Sequence, residues 1–287
     1  MKEYDEKTLK RVQMTELEIL HDFVQLCDKA NLTYFGIAGT GIGALRHNGF
    51  IPWDDDIDIA MPREDFDKFV YIAKKEYSDK YLILNGLEFE NYPLLTTRWV
   101  MKDTEFVEYP LKNIDCPLGI FLDIYPLDKI PDDAKLFKKQ ARKAFFYSKL
   151  LILRSIPFPV VGFSGIKKKI VHMICACIHL FLCVFRIQKK WLYKKCLEIS
   201  TMYNYMDSTS RLDFLCDTTA YLNIHEIADI YPLKKIKFED IDLNFPNRIE
   251  KNLTLAYGDY MKLPPIEKRK NHLPYKLKFK EDNFEKK

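Results

Sequence analysis

Apolar residues at Leu9, Val12, Leu17, Leu20, Val24 and Cys27 recur at helical spacing, so residues 8–30 are expected to form an amphipathic helix. "TYFGIAG" (33–39) then reads as a short strand, and "TGIGALRHNG" as a turn into a short helix that stops at Asn48-Gly49. "DIDIAM" is the next strand, and Pro62 opens a helix through "REDFDKFVYIAKKEY" with acidic residues in its first turn. Strands are expected at "KYLILNG", "LLTTRWVM" and "TEFVEY", and most clearly at "GIFLDIYPLD" (119–128). Residues 132–206 carry a helical pattern broken at Pro157 and Pro159. Mixed structure returns at "KKIKFEDIDLNFP", followed by a helix at 247–257 and a basic, polar tail. A strand core followed by a helical insertion predicts an α+β protein.

One stretch resists this simple patterning. "WDDDIDIAMP" (53–62) sets Asp54, Asp55, Asp56 and Asp58 among residues that otherwise suit a buried strand. Residues i and i+2 of a strand share a face, so Asp56 and Asp58 project together, with Asp54 extending the row, while Ile57 and Ile59 turn to the core. Asp55 is expected to be a turn or capping residue at the strand's start. Two carboxylates on one face suit a hard cation such as Mg²⁺, which takes oxygen ligands and leaves room for substrate phosphates. Asp123, flanked by apolar residues in "IFLDIYPLD", is the candidate third carboxylate, whereas Asp128, after Pro126, is expected in a turn.

About fifteen residues upstream, "GTGIG" (39–43) stands at a strand-to-helix turn, where Gly39 and Thr40 could present backbone N–H groups to a phosphate. Taken alone it reads better as a plain tight turn. Arg46 follows as a phosphate clamp or a surface arginine, and His47 and Asn48 are expected at the surface or in a turn. Trp53, Trp99 and Tyr125 lie near the site along the chain, and each suits the core as well.

Composition changes the picture in three places. A net charge of +4 over 287 residues argues against a dedicated nucleic-acid binder, although lysines concentrate in the second half. Seven scattered cysteines, an odd number, suit reduced, buried thiols better than a disulfide framework. The charged N-terminus lacks the apolar core of a secretory signal, which points to a cytoplasmic protein. "IVHMICACIHLFLCVF" (170–185) is shorter than the usual ~20-residue span, and basic residues flank it. It suits a helix buried in a bundle or one lying in a membrane interface, with contact through 167–195 at the inner face of the cell membrane. A zinc site from His172, Cys175 and His179 is disfavoured, because Cys-x-Cys on a helix points its thiols apart.

The block "GIAGTGIGALRHNGFIPWDDDIDIAMPREDFDKF" closely resembles the signature of the LicD family within the nucleotidyltransferase superfamily, as do "GIFLDIYPLD", "YPLKKIKFEDIDLNFPNRIEKNLTLAYGDYMKLPP" and "EKRKNH". The resemblance implies a mixed sheet of nucleotidyltransferase type with flanking helices and a site dependent on Mg²⁺, with Mn²⁺ as a substitute. It implies transfer of phosphocholine, or a similar phospho-alcohol, from a CDP-linked donor to a hydroxyl of a glycan or lipid-linked glycan, releasing CMP. Carried onto this chain, Gly39 and Thr40 take the glycine-plus-hydroxyl position, Asp56 and Asp58 the metal pair, and Asp123 the third acidic residue. Gly41-Ile42 departs from the two bulky aliphatics common there. The expected organisation is a catalytic core at 1–130, a helical insertion at 131–206 and a C-terminal part, 207–287, completing the catalytic domain. Competing readings are true nucleotidyl transfer and an inactive glycan- or nucleotide-binding module, which product mass and turnover separate.

Overall fold

The computed structural model describes residues 4–216, 224–269 and 271–283. The chain opens with α1 (Glu6–Ala30), capped by the Asp5 carboxylate, which accepts from the Thr8 N–H at 2.9 Å. It continues through β1 (Phe35–Gly36), α2 (Ala38–His47), β2 (Asp58–Pro62), α3 (Arg63–Glu76), β3 (Tyr81–Leu84), β4 (Thr97–Met101), β5 (Glu105–Glu108) and β6 (Phe121–Ile130). Three helices follow: α4 (Ala134–Ser155), α5 (Gly165–Val184) and α6 (Lys189–Ser200). The rest comprises β7 (Arg211–Asp213), β8 (His225–Glu226), α7 (Ile227–Ile230), β9 (Lys234–Phe238), β10 (Ile241–Phe245), α8 (Ile249–Tyr257) and β11 (Pro274–Lys278).

The main sheet runs β1-β2-β6-β4-β3, and β7 and β8 extend it from the far half of β6. β2 and β6 are parallel and the other pairs antiparallel, so the sheet is mixed and the fold α+β, as the pattern predicted. Side-chain alternation divides β2 between two cores. Ile59 and Met61 pack with Phe23 of α1 and Phe69 of α3, whereas Ala60 packs with Phe35, Leu127 and Ile230 on the opposite face.

Three expectations are corrected here. β1 is only two residues long, because the chain turns into α2 at Ala38, whose φ of 46° is unusual for a residue with a side chain. Asp128 is not in a turn. It lies within β6 opposite Asp213 of β7, fully buried, and Arg63 grips its carboxylate through two hydrogen bonds of 2.8 and 2.7 Å. The cysteines are free, but only Cys27, Cys196 and Cys216 are buried, and Cys177 is exposed.

α4 ends at Ser155, before Pro157 and Pro159, as expected from those prolines. α5 then packs against α4 in an inverted sense. His179 bonds the Leu153 carbonyl at 2.8 Å and His172 the Pro159 carbonyl at 3.1 Å, so the polar stripe faces inward. Leu182 is the single buried residue of α5 among the described side chains, and Ile166, Met173, Leu180, Phe181 and Val184 are more than half exposed. The two histidines are spent on carbonyls, and among the described residues no group of three His, Cys, Asp or Glu side chains is arranged to hold a metal, zinc included. Among the described residues no single helix is long and apolar enough to cross a membrane.

Candidate active site

The parallel pairing of β2 with β6 places Asp58 directly beside Asp123, and the antiparallel pairing of β6 with β4 places Arg98 on Asp123's other side. Three strands thus lay Asp58, Asp123 and Arg98 in one row. Thr40 on α2 accepts the Asp58 N–H at 2.8 Å, and the Asp58 carbonyl accepts from the Ile37 N–H at 3.1 Å. The hydroxyl expected at a phosphate therefore also fixes the start of β2.

Only Asp58 of the acidic row belongs to the strand, because residues 54–57 are irregular. The expected strand-wise row of Asp54, Asp56 and Asp58 is replaced by a turn that gathers them. Asp54 and Asp56 hydrogen-bond each other, which two carboxyl groups can do only if one keeps its proton. Asp55, expected to be a bystander, is fully buried and satisfied: Oδ2 accepts from the Tyr4 hydroxyl at 2.8 Å and Oδ1 from the His272 N–H at 2.7 Å. It ties the N-terminal segment and the C-terminal segment to the site.

The electrostatics are those of carboxylates crowded in a dry place. Burial first, then the charges of Asp56 and Asp123, hold Asp58 well above the usual carboxylate range, against a hydrogen bond with Tyr125. Burial and the neighbouring charges of Asp56 and Asp55 push Asp54 up to about 8. Burial likewise raises Asp56, to about 6, against the pull of His272. Glu16 on α1 is fully buried beside this cluster, its carboxyl raised by burial and by Asp56, Asp55 and Asp54, and among the described residues neither of its oxygens has a hydrogen-bond partner. Orphaned, repelling oxygens of this kind fit a hard cation. No three side chains form a ready cage among the described residues, but Mg²⁺ usually takes one or two carboxylates and completes its shell with water and substrate phosphate.

Positive charge bounds the cluster on two sides. Arg98, buried, donates from Nε to Asp123 at 3.2 Å and from Nη1 to Glu108 at 2.6 Å. His272 Nδ1 lies 3.3 Å from both Asp55 and Asp56. Burial works against its charge, but the Asp55 bond and the Asp56 and Asp55 charges lift it to about 10.

Gly39 and Gly41 lie inside α2, so their backbones are not a free loop. A Cβ on Gly39 would stand 2.8 Å from Asp54 Oδ2, and one on Gly41 2.8 Å from Ile249 Cδ1. Gly39 lets the acidic turn close on the helix, and the departure at Gly41 is matched by Ile249 of α8, which fills the space. Arg46 lies further along α2 with its guanidinium on the Tyr260 carbonyl. Trp99 is a core residue against Phe69 and Tyr81. Tyr125 meets Asp58 through a hydrogen bond, and Trp53 precedes Asp54 and packs against the core. A cavity of ≈ 400 Å³ opens beside the Gly36–Ala38 turn, lined by His225, Asn252 and Tyr257.

Sequence reasoning passed over Glu16, Arg98, Glu108, Tyr4 and His272. Two of them carried a signal: Glu16 sits on the apolar stripe between Val12 and Leu20, and Arg98 interrupts an apolar strand. Tyr4 and His272 arrive from opposite ends of the chain, and Lys270 of "EKRKNH" lies outside the described residues.

The raised carboxyls predict a pH dependence. Each binds its proton more tightly folded than unfolded, where Asp titrates near ~3.9, so metal-free stability falls as pH climbs from about 4 through 6 and 8. Raised His272 acts in the same direction above about 6.5. Thermal melts in EDTA should therefore show Tm dropping between pH 5 and 8, with Asp54→Asn flattening the drop. A flat wild-type profile would contradict the crowding.

Residues 31–164 match the family model described as LicD/FKTN/FKRP, nucleotidyltransferase domain. The chain is 31% identical over 277 residues to the lipopolysaccharide cholinephosphotransferase LicD of Haemophilus influenzae, covering 92% of this chain and 96% of that protein. Shorter matches, 44% identical over 48 residues, are to uncharacterized proteins of Rickettsia prowazekii and Rickettsia typhi, covering 17% of this chain and 18% and 16% of theirs. Because the first of these likenesses extends over nearly the whole of both chains, the chain belongs to the LicD family.

Proposed function

We propose that the protein moves phosphocholine, or a similar phospho-alcohol, from a CDP-linked donor to a hydroxyl of a cell-surface glycan precursor. The observation that carries this reading is the Asp58–Asp123 pair, side by side on parallel strands, with Asp56 and the unpartnered Glu16 adjoining. Asp56, Asp58 and Asp123 would hold Mg²⁺, or Mn²⁺ in its place, and so neutralise the donor's diphosphate. The acceptor oxygen forms a new bond to the transferred phosphorus as the bond to CMP breaks, and the hydroxyl proton passes to a carboxylate of the cluster. Arg98 holds Asp123 in place for this through Oδ1. Gly39 and Thr40, at the start of α2, face the donor phosphates. A panel of CDP-choline, CDP-ethanolamine, CDP-ribitol and CDP-glycerol, each with Mg²⁺ and lipopolysaccharide, tests the reading. One donor should release CMP and leave its phospho-alcohol on the glycan. Addition of a nucleotide with release of pyrophosphate would favour the nucleotidyl alternative.

We also infer that α5 meets the membrane on which a lipid-linked acceptor would be presented. Its apolar side faces outward, and no acidic residue occurs between Asp133 and Glu198. Lys167, Lys168 and Lys169 at one end, and Arg186, Lys189 and Lys190 at the other, suit anionic headgroups around an apolar face. Vesicles containing phosphatidylglycerol should sediment the protein in a salt-sensitive manner, and Phe181→Glu should release it. Equal indifference to anionic and neutral vesicles would refute the contact.

A further inference from the structure

Among the described residues, two arginines near the acidic turn have no acidic partner. Arg46 of α2 and Arg269 of the C-terminal segment both lie within cation–π reach of the Trp53 indole, their guanidinium carbons 6.0 and 4.2 Å from its centroid. Among the described residues neither forms an ion pair. Each is oriented instead by neutral groups: Arg46 by the Tyr260 carbonyl and the His47 ring, Arg269 by the Pro264 carbonyl. Arg46 loses some affinity for its proton through burial and then through the charge of Arg269, so the two cations lie within electrostatic reach of each other. This is costly unless an anion completes the arrangement. A guanidinium has five N–H donors in a planar fork, and the carbonyls and ring engage only part of them.

We propose that Arg46, Arg269 and Trp53 form an anion site that takes one phosphate of a diphosphate. The inference rests on the donor reading above and deepens it. Trp53 immediately precedes Asp54, whose carboxylate abuts Gly39, so the site adjoins the carboxylate cluster. A diphosphate set across the two has one phosphate at the carboxylates and the other on the arginine forks. The phosphate retained by the leaving nucleotide gains negative charge as its bond breaks, and two forks placed there oppose that charge. The same geometry removes Trp53 from the aromatic residues open to a choline ammonium, because a guanidinium already lies over its ring.

The probe is inorganic pyrophosphate, titrated calorimetrically into the full chain in EDTA at low ionic strength. Wild type and Asp58→Asn should bind alike, because the arginines and not the carboxylates hold the anion. Arg269→Gln and Arg46→Gln should each weaken binding at least tenfold, and Arg269→Lys, which keeps the charge and loses the fork, should fall between. Circular dichroism identifies any variant that has unfolded, and the Lys variant then carries the comparison. Pyrophosphate binding that is absent in wild type, or unchanged in both Gln variants, would overturn the site. The titration uses neither metal nor donor, so a chain that binds pyrophosphate through the arginines but releases CMP from no donor would defeat the functional reading and leave the anion site standing.

Discussion

Asp58→Asn should abolish transfer, with kcat/KM falling by at least about 10²–10³-fold, while the fold persists and the metal-free protein melts no lower than wild type. Two opposite consequences follow from one change. Asp58 is buried beside Asp123 and near Asp56, and its charge is unfavourable there without a cation. Asparagine keeps the shape and can still meet the Tyr125 hydroxyl, but it removes the repulsion. The main-chain bonds to Thr40 and Ile37 do not involve the side chain and are retained. Activity and stability should thus move apart. A structural carboxylate would behave differently, losing both together. Measuring kcat/KM and Tm on the same preparations separates the two.

Arg63→Ala should destabilise the protein by about 3–5 kcal/mol, the range for stripping one partner from a buried ion pair. Asp128 is 1% exposed, and Arg63 supplies both of its charge-assisted hydrogen bonds. Asn204, just beyond α6, donates a third at 2.7 Å, so the pair joins the first turn of α3, the end of β6 and the helical region. Without Arg63, the buried Asp128 loses its ion-pair partner and keeps the Asn204 hydrogen bond. Denaturant titration of the single variants and of the Arg63→Met/Asp128→Leu double variant checks this. The double variant should recover most of the loss, because it removes the orphaned charge. A single-variant cost below about 1 kcal/mol, the worth of an exposed pair, would show that Asp128 is solvated.

Much of this architecture was legible because local pattern and tertiary need agree. α1, α3 and α4 follow their apolar spacing, and β6 follows its run of apolar residues around Asp123. Asp58 and Asp123 were legible for the same reason: each is a charge where the pattern demands an apolar residue. The pairing of β2 with β6, which sets them side by side, is a long-range fact that spacing does not encode. The acidic turn was misread as strand because alternation cannot separate an extended row from a turn that folds two carboxylates together. Asp55 looked idle because its partners, Tyr4 and His272, lie at the two ends of the chain. Asp128 looked like a turn residue because the Pro126 before it suggested a break, yet β6 continues through that proline to Ile130. In α5 the polar stripe was visible, but the sequence does not say which side meets the protein, and here it is the polar one.

The most direct test of the carboxylate site is Mn²⁺ binding, followed by electron paramagnetic resonance with CDP-choline present. Wild type should show a bound-ion spectrum, and Asp58→Asn the spectrum of free Mn²⁺ at the same concentrations. Identical bound spectra from both proteins, together with equal turnover, would contradict the assignment of Asp58 as a metal ligand.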